Sequence, residues 1–424
     1  MKSNNLKFIL QASVAAFGAY FCMYAFRKPF TVATFSELSF LGIDYKIWLV
    51  VGQVLGYTLS KFVGIKLIAE MPKSKRFIYL VSFILFAELA LLGFAMVSAP
   101  YNIIFLFLNG LPLGMIWGIV FSYLEGRKST EILGVILCSS FIVSSGAVKS
   151  IGKLVMDSWH FSEFWMPFIT GLLFIIPLVL FAFLLNRLPE PSSQDEQTKC
   201  KRATLNKAER TKLYKEFALP LTLIVVFYVF LTGVRDFRDN FAREIWDSLG
   251  FSNSAAIYSF SEIPIAVSVL IIMIAIGSIT KNFRAFACYH LVLCAGGLLI
   301  GISTVLFQFG VITPVLWMII SGFGMYICYI PFQGLFFDRM IATFKIKGNV
   351  GFLIYLADAF GYLGSVIILF YKNFVKANIS YLNFFTSLIL IVAVLAVSIS
   401  IISYVFFNNK KQKTIVQPNI LIHE

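Results

Sequence analysis

Seven ionisable side chains stand inside long apolar runs: Arg27, Lys28, Lys61, Glu88, Lys149, Glu262 and Asp358. At the centre of a bilayer each costs about 2.5–3.5 kcal/mol on insertion scales, so such residues usually face a water-lined path. Arg27 and Lys28 precede the end of their run by a little over two helical turns, about 12 Å at helical rise. Pro29 follows and removes a backbone donor, which is tolerated where loosened backbone lines a cavity. Lys61 shares a helix face with Tyr57, one turn before it. Lys149 follows Ser144, Ser145 and Gly146, a polar face suited to water. Glu262, ahead of Pro264, and Asp358, ahead of Gly361, either neutralise a cavity lysine or carry a proton, and Glu88 pairs between helices or does the same. In the first half of the chain four such cations face one acid. That excess favours an anion as occupant, because an unpaired cation in low dielectric stays uncompensated until one arrives. The competing reading is that the long side chains of Arg27, Lys28 and Lys61 reach the headgroups instead.

These residues need elements that cross a membrane. Of 424 residues 59% are apolar and 13% charged, and the apolar ones come in blocks of twenty or more. With a mean hydropathy of +0.85, a soluble domain is excluded. So is a transmembrane barrel, whose strands would alternate apolar with polar residues. Twelve spans are expected: 8–35, 47–69, 77–97, 102–124, 132–155, 164–185, 217–234, 255–279, 285–307, 311–337, 350–371 and 381–407. The apolar stretch near the N-terminus continues past any signal-peptide cleavage position, so it is kept as the first span. A Pro-, Ser-, Lys- and Glu-rich linker, 188–215, divides six spans from six. The expected fold is an all-α membrane protein of twelve transmembrane helices in two pseudosymmetric six-helix bundles, 1–187 and 216–407, with a tail at 408–424.

Basic residues fix the sidedness. Lys73, Lys75, Arg76, Arg127, Lys128, Lys281, Arg284, Arg339, Lys345, Lys347, Lys410, Lys411 and Lys413 share the side of the termini and linker, which is therefore read as cytoplasmic. The net charge of +14 then reflects membrane orientation and implies no nucleic-acid partner. The six cysteines form no CxxC pair and, Cys200 apart, sit in apolar runs, and three scattered histidines make no cluster, so no metal site or cofactor is implied. His290 reads as a satisfied interior histidine. The stretch from Arg235 to Asp247 interleaves three arginines with four acids. It is either an ion-paired helix end at the outer surface, or a helix that continues inward and presents Arg235 to a cavity.

Four segments resemble one family. Tyr24-Ala25-Phe26-Arg27-Lys28-Pro29-Phe30 is similar to the first-helix Tyr-x-x-Arg-Lys-x-Phe stretch of organophosphate:phosphate antiporters, a group of the major facilitator superfamily. Gly56-Tyr57-Thr58-Leu59-Ser60-Lys61-Phe62 resembles its helix-2 pattern. Phe107-Leu108-Asn109-Gly110 with Gly114-Met115-Ile116-Trp117 resembles its helix-4 pattern, and Phe360-Gly361-Tyr362-Leu363-Gly364 its helix-11 segment. The resemblance places the family's helix-1 arginine at Arg27 and its helix-2 lysine at Lys61. It departs at Leu231, where the family has a second arginine, and Arg235, one turn on, is the available substitute. It departs also at Cys138-Ser139-Ser140-Phe141, which lacks the phosphate exchangers' histidine, and in the loop after helix 2, where Gly64 to Lys73 holds only a degraded form of the superfamily's Gly-x-x-x-Asp-Arg.

The resemblance implies a secondary transporter in a bacterial inner membrane. It would move a small organic anion, phosphorylated or not, by alternating access in exchange for phosphate or another anion. Tyr24, Arg27, Lys28, Tyr57, Lys61, Lys149 and Arg235 would line the substrate path, and the partners would be the solute and the bilayer, with the chain acting as a monomer. A transporter-shaped receptor for an anion and a proton-coupled carrier of a neutral solute stay open as alternatives. No paired carboxylates, nucleophile–base motif or P-loop points to an enzyme.

Overall fold

Pro29 decides the shape of the first span. The helix α1 (Lys2–Met23) stops before it, and a 3-10 turn at Tyr24–Phe26 leads to Arg27 at φ −115°, ψ −44°. A second 3-10 turn, Pro29–Val32, follows. The span expected over 8–35 is thus broken beside the proline expected to loosen it, because proline cannot donate one turn back and its ring crowds the carbonyl there. The freed carbonyls find side chains. Asn109 Nδ2 donates to Phe26 O at 3.0 Å and Gln53 Nε2 donates to Arg27 O at 2.9 Å, while Gln53 also donates to Asn109 Oδ1 at 2.8 Å. Irregular backbone at membrane depth persists when buried protein groups satisfy it in this way.

Gln53 lies on α2 (Tyr45–Ala69) and Asn109 on α4 (Ile103–Leu124). The two helices touch backbone to backbone. A Cβ on Gly56 would fall 2.1 Å from Phe107 O, and one on Gly110 2.3 Å from Gln53 O. Small residues permit such approach in a membrane, where packing replaces the hydrophobic effect. This contact orients Tyr57 and Lys61. Gly110→Val should therefore lower the melting temperature in detergent, by an overpacking cost of about 1–3 kcal/mol. An unchanged melting temperature would contradict the contact.

The computed structural model describes residues 2–36, 38–127, 129–191, 207–333, 335–344, 350–375 and 378–420. Lys128, Cys200, Lys345, Lys347, His423, most of the linker (192–206) and the side chain of Lys413 lie outside what is described. The first half is completed by α3 (Arg76–Met96), α5 (Thr130–Asp157) and α6 (Met166–Asn186). Here α1 packs on α5 and α6, and α3 on α4 and α6. The second half holds α7 (Lys207–Asn240), a short α8 (Ala242–Ser248), α9 (Ile257–Gly277), α10 (Asn282–Gln308), α11 (Pro314–Tyr329), α12 (Leu335–Phe344), α13 (Val350–Phe370) and α14 (Tyr381–Ile420). Within it α7 packs on α13 and α14, α10 on α11 and α14, and α9 on α11. The halves meet along α5 with α9 and α2 with α13. The contact of α13 with α7 again uses glycine: a Cβ on Gly364 would lie 2.2 Å from Val229 Cγ1.

The span expected at 311–337 is also divided, for α11 ends at Tyr329 and a 3-10 turn containing Pro331 runs Ile330–Gln333. Residues 408–420 of the expected tail continue α14 as helix. Beyond the helices there is, among the described residues, one two-stranded hairpin, Ser39–Phe40 with Ile43–Asp44. Eleven helices among the described residues are long and apolar enough to cross a membrane, and α13, at 21 residues, is as long as several of them. Large apolar side chains such as Leu89, Ile176, Leu291 and Ile367 project outward, a surface that lipid rather than water must cover. The protein is an integral membrane protein. His290 is satisfied inside it, with Nδ1 2.9 Å from Phe286 O and Nε2 3.1 Å from Ser403 Oγ.

Candidate functional site

The broken first span delivers Arg27 to the interior at 3% exposure. Its guanidinium carbon sits 3.8 Å from the centre of the Tyr57 ring and 5.9 Å from that of Tyr24. Among the described residues no carboxylate pairs with it, and its Nε is buried without a hydrogen-bond partner. Stacking on tyrosine offsets part of a cation's burial, by up to about 2 kcal/mol when desolvated, and leaves the forked N–H groups free to donate. Tyr57 meets Tyr362 of α13 across the interface of the halves, with ring centres 4.9 Å apart. On the far side of Tyr362 stands Arg235, whose Nη2 is 3.4 Å from the Tyr362 hydroxyl and whose guanidinium carbon is 4.2 Å from the Tyr329 ring centre. Two arginines, one from each half, thus flank a wall of tyrosines.

Lys61 is placed differently from the expectation of an uncompensated cation. Its Nζ lies 3.2 Å from Asp358 Oδ2, both side chains being buried. The other carboxylate oxygen accepts from the Tyr228 hydroxyl at 2.6 Å and from Gln333 Nε2 at 3.3 Å. Tyr57, Trp117 and Tyr362 surround the ammonium group with their rings.

Lys28 and Lys149 are compensated too. Both reach across to Asp239 near the end of α7: Lys28 at 2.5 Å, Lys149 through Oδ1 and through the backbone carbonyl at 2.6 Å. Ser145 donates to the same carboxylate, and Lys28 donates to Asn240 Oδ1 at 2.8 Å. Close by, Arg238 pairs with Glu262 at 2.5 Å and donates to Met318 O. Only about 10 Å³ is free between Lys149, Arg238, Asp239 and Glu262, the room of a single water. Further toward the hairpin, Lys46 pairs with Glu244 across the halves. At the opposite end Arg339 of α12 reaches Glu131 of α5 at 3.0 Å. Ion pairs therefore join the halves on both sides of the tyrosine wall.

Several expectations need correction. Three of the four first-half cations have carboxylate partners, all supplied by the second half, so counting charge within one half overstated the excess. Among the described residues, between the outer cross-half pairs Lys46–Glu244 and Arg339–Glu131, six cations (Arg27, Lys28, Lys61, Lys149, Arg235, Arg238) meet four carboxylates (Asp236, Asp239, Glu262, Asp358), a surplus of two positive charges when all are ionised. None of the three cations expected to have an alternative in the headgroups, Arg27, Lys28 or Lys61, extends to the exterior. The outer-surface reading of the stretch from Arg235 to Asp247 applies only to its end, where Arg243 and Asp247 form a partly exposed i,i+4 pair. Arg235, Asp236 and Arg238 are buried because α7 continues as helix to Asn240, and Arg235 pairs with Asp236 at 2.7 Å. Glu88 stands apart from the cluster. Its carboxylate oxygens have no hydrogen-bond partner among the described residues and lie against Gly171 of α6, where a Cβ would fall 2.1 Å from Oε2.

Asp239, Tyr228, Gln333 and Tyr329 were not singled out in the sequence. Asp239 was within reach of the inward reading of α7. The others lie in apolar runs, with nothing local to set them apart.

In solved structures the same arrangement of helices recurs. Nucleoside transporter NupG superimposes with a TM-score of 0.60 at 15% identity, over 94% of this chain and 99% of that one. A D-xylose-proton symporter gives 0.60 at 14%, over 93% and 96%. A POT family transporter in complex with 5-aminolevulinic acid gives 0.56 at 14%, over 95% and 96%. At such identities the likeness shows the fold, which is that of the major facilitator superfamily. No curated protein matches the sequence. The model of a family of unknown function, DUF5690, matches residues 29–410, and the chain belongs to that family.

Proposed function

We propose that the protein is a secondary transporter that carries a small organic anion between its two halves, with Arg27 as the principal anion contact and Arg235 closing from the other side. One observation carries this: Arg27 is a buried cation on unwound backbone at the interface of the halves, and among the described residues it has no carboxylate partner. The surplus of two charges around it supports an anionic cargo, since a bound anion relieves a cost that the empty site bears. Tyr24 and Tyr57 would hold the Arg27 fork in place, with Lys61, Lys28 and Lys149 adding to the positive field. Phosphorylated anions and inorganic phosphate come first as cargo because of the resemblance in the first, second, fourth and eleventh spans. The likeness to a nucleoside transporter and a D-xylose-proton symporter supports transport as the class of activity. The positive-inside pattern supports cytoplasmic termini in an inner membrane, with 1–187 and 216–407 as the two moving bodies.

Thermal unfolding of the purified protein tests the cargo. Inorganic phosphate or a phosphomonoester at 100 times its dissociation constant should stabilise the folded state by about 2.7 kcal/mol. Monosaccharides and nucleosides should leave the melting temperature unchanged. Stabilisation by the neutral solutes and not by the anions would contradict an anion carrier and favour the neutral-solute alternative.

A further inference from the structure

The face of α2 that carries Lys61 also carries Gln53, two turns before it, with Tyr57 between them. Two of these side chains hold opposite ends of one residue. Gln53 Nε2 donates to the backbone carbonyl of Arg27 at 2.9 Å, and the Tyr57 ring lies against the Arg27 guanidinium. We infer that Gln53 is a positioning residue for anion binding: through the Arg27 carbonyl it fixes where the guanidinium is presented. This inference rests on the anion-carrier reading and deepens it.

The amide is committed in full. Its second N–H donates to Asn109 Oδ1 at 2.8 Å. Both N–H groups of Asn109 are used in turn, on Phe26 O and on Ala87 O of α3, each at 3.0 Å. Gln53 and Asn109 are both buried, so water does not replace a bond lost from this relay. The backbone itself supplies less. The N–H groups of Arg27 and Lys28 share one acceptor, Tyr24 O, at 3.0 Å each, and Pro29 has no N–H to give. Arg27 is therefore tied to α2 as firmly as to α1, and it stays stacked on Tyr57 while the halves move. A guanidinium held in place before the anion arrives loses less freedom on binding it, which is affinity gained without a new contact. Removing the Gln53 amide takes these donors from the Arg27 carbonyl and Asn109 Oδ1, and the freed backbone can turn the guanidinium off the Tyr57 ring. Anion affinity then falls although Gln53 touches no anion.

Phosphate exchange by the full chain in proteoliposomes tests this, with inorganic phosphate as the probe and half-saturation and maximal rate measured separately. Gln53→Leu keeps most of the side-chain bulk and removes both donors. It should raise the half-saturating phosphate concentration by about fivefold or more and change the maximal rate by less than about twofold. Gln53→Asn, an amide one methylene shorter, should fall between Gln53→Leu and wild type. The cycle with Arg27→Ala separates positioning from structure. Once the guanidinium is gone, Gln53→Leu should change exchange at low phosphate by less than about 1.5-fold. Wild-type half-saturation in Gln53→Leu, or in Gln53→Asn where only that variant folds, overturns the assignment. A loss of equal size in both backgrounds also overturns it, since Gln53 would then only support the fold. Both of these results leave Arg27 as the anion contact. Wild-type exchange in Arg27→Ala removes that reading, and the inference with it.

Discussion

Arg27→Ala should lower phosphate exchange by about 10- to 150-fold, with the protein still folded in the membrane. The range follows from the net worth of a hydrogen bond to a charged group, about 1.5–3 kcal/mol. The loss should fall on binding, so the phosphate-induced rise in melting temperature should vanish as well. Stability without ligand should stay the same or increase, because the substitution removes a buried cation that has no carboxylate partner among the described residues. That combination distinguishes a binding role from a structural one. Arg27→Lys keeps the charge but loses the planar fork stacked on Tyr57, and should fall between alanine and wild type. Wild-type exchange in Arg27→Ala would mean that the anion is held elsewhere.

Asp239→Asn should produce the largest loss of stability. One carboxylate holds both Lys28 and Lys149 across the halves, and its removal strands two buried ammonium groups. Breaking a buried pair typically costs about 3–5 kcal/mol. Much of that should return in Asp239→Asn/Lys149→Met, since the second change removes one stranded charge, while Lys28 keeps its bond to Asn240. Thermal unfolding of the four members of the cycle measures the coupling. Additive effects would contradict a shared ion-pair cluster. Because the pairs bridge the halves, Asp239→Asn should also admit a water-soluble thiol reagent to a cysteine placed at Ser145, where the wild-type background excludes it.

Much of this architecture is written locally in the chain. Long apolar blocks and the polar linker are enough for twelve spans in two sets, since helix length and hydropathy depend on near neighbours only. The cost of Arg27, Lys28, Lys61 and Lys149 in an apolar run likewise brought them forward before any contact was known, and all four are buried near the interface. The residues alone offered Glu262 and Asp358 as partners for a cavity lysine but left hidden which acid meets which cation. Asp358 lies 297 positions from Lys61, and Asp239 lies 211 from Lys28, so no spacing rule connects them. Counting charge half by half therefore missed neutralisation from the opposite half. Backbone geometry was legible only in part: Pro29 announced a weak point, but the capture of the freed carbonyls by Gln53 and Asn109 required two other helices to be in place. The stretch around Arg235 was ambiguous because a charge-rich helix end looks the same whether it ends in water or among buried partners.

The most direct test is counterflow. Proteoliposomes loaded with excess unlabelled inorganic phosphate are diluted into a trace of labelled phosphate, for wild type and Arg27→Ala side by side. A carrier that binds the anion at Arg27 predicts a transient overshoot of label in the wild type and none in Arg27→Ala. Saturable phosphate binding to the wild type with no overshoot would make the protein a receptor rather than a carrier, and equal overshoot in both would deny Arg27 its role.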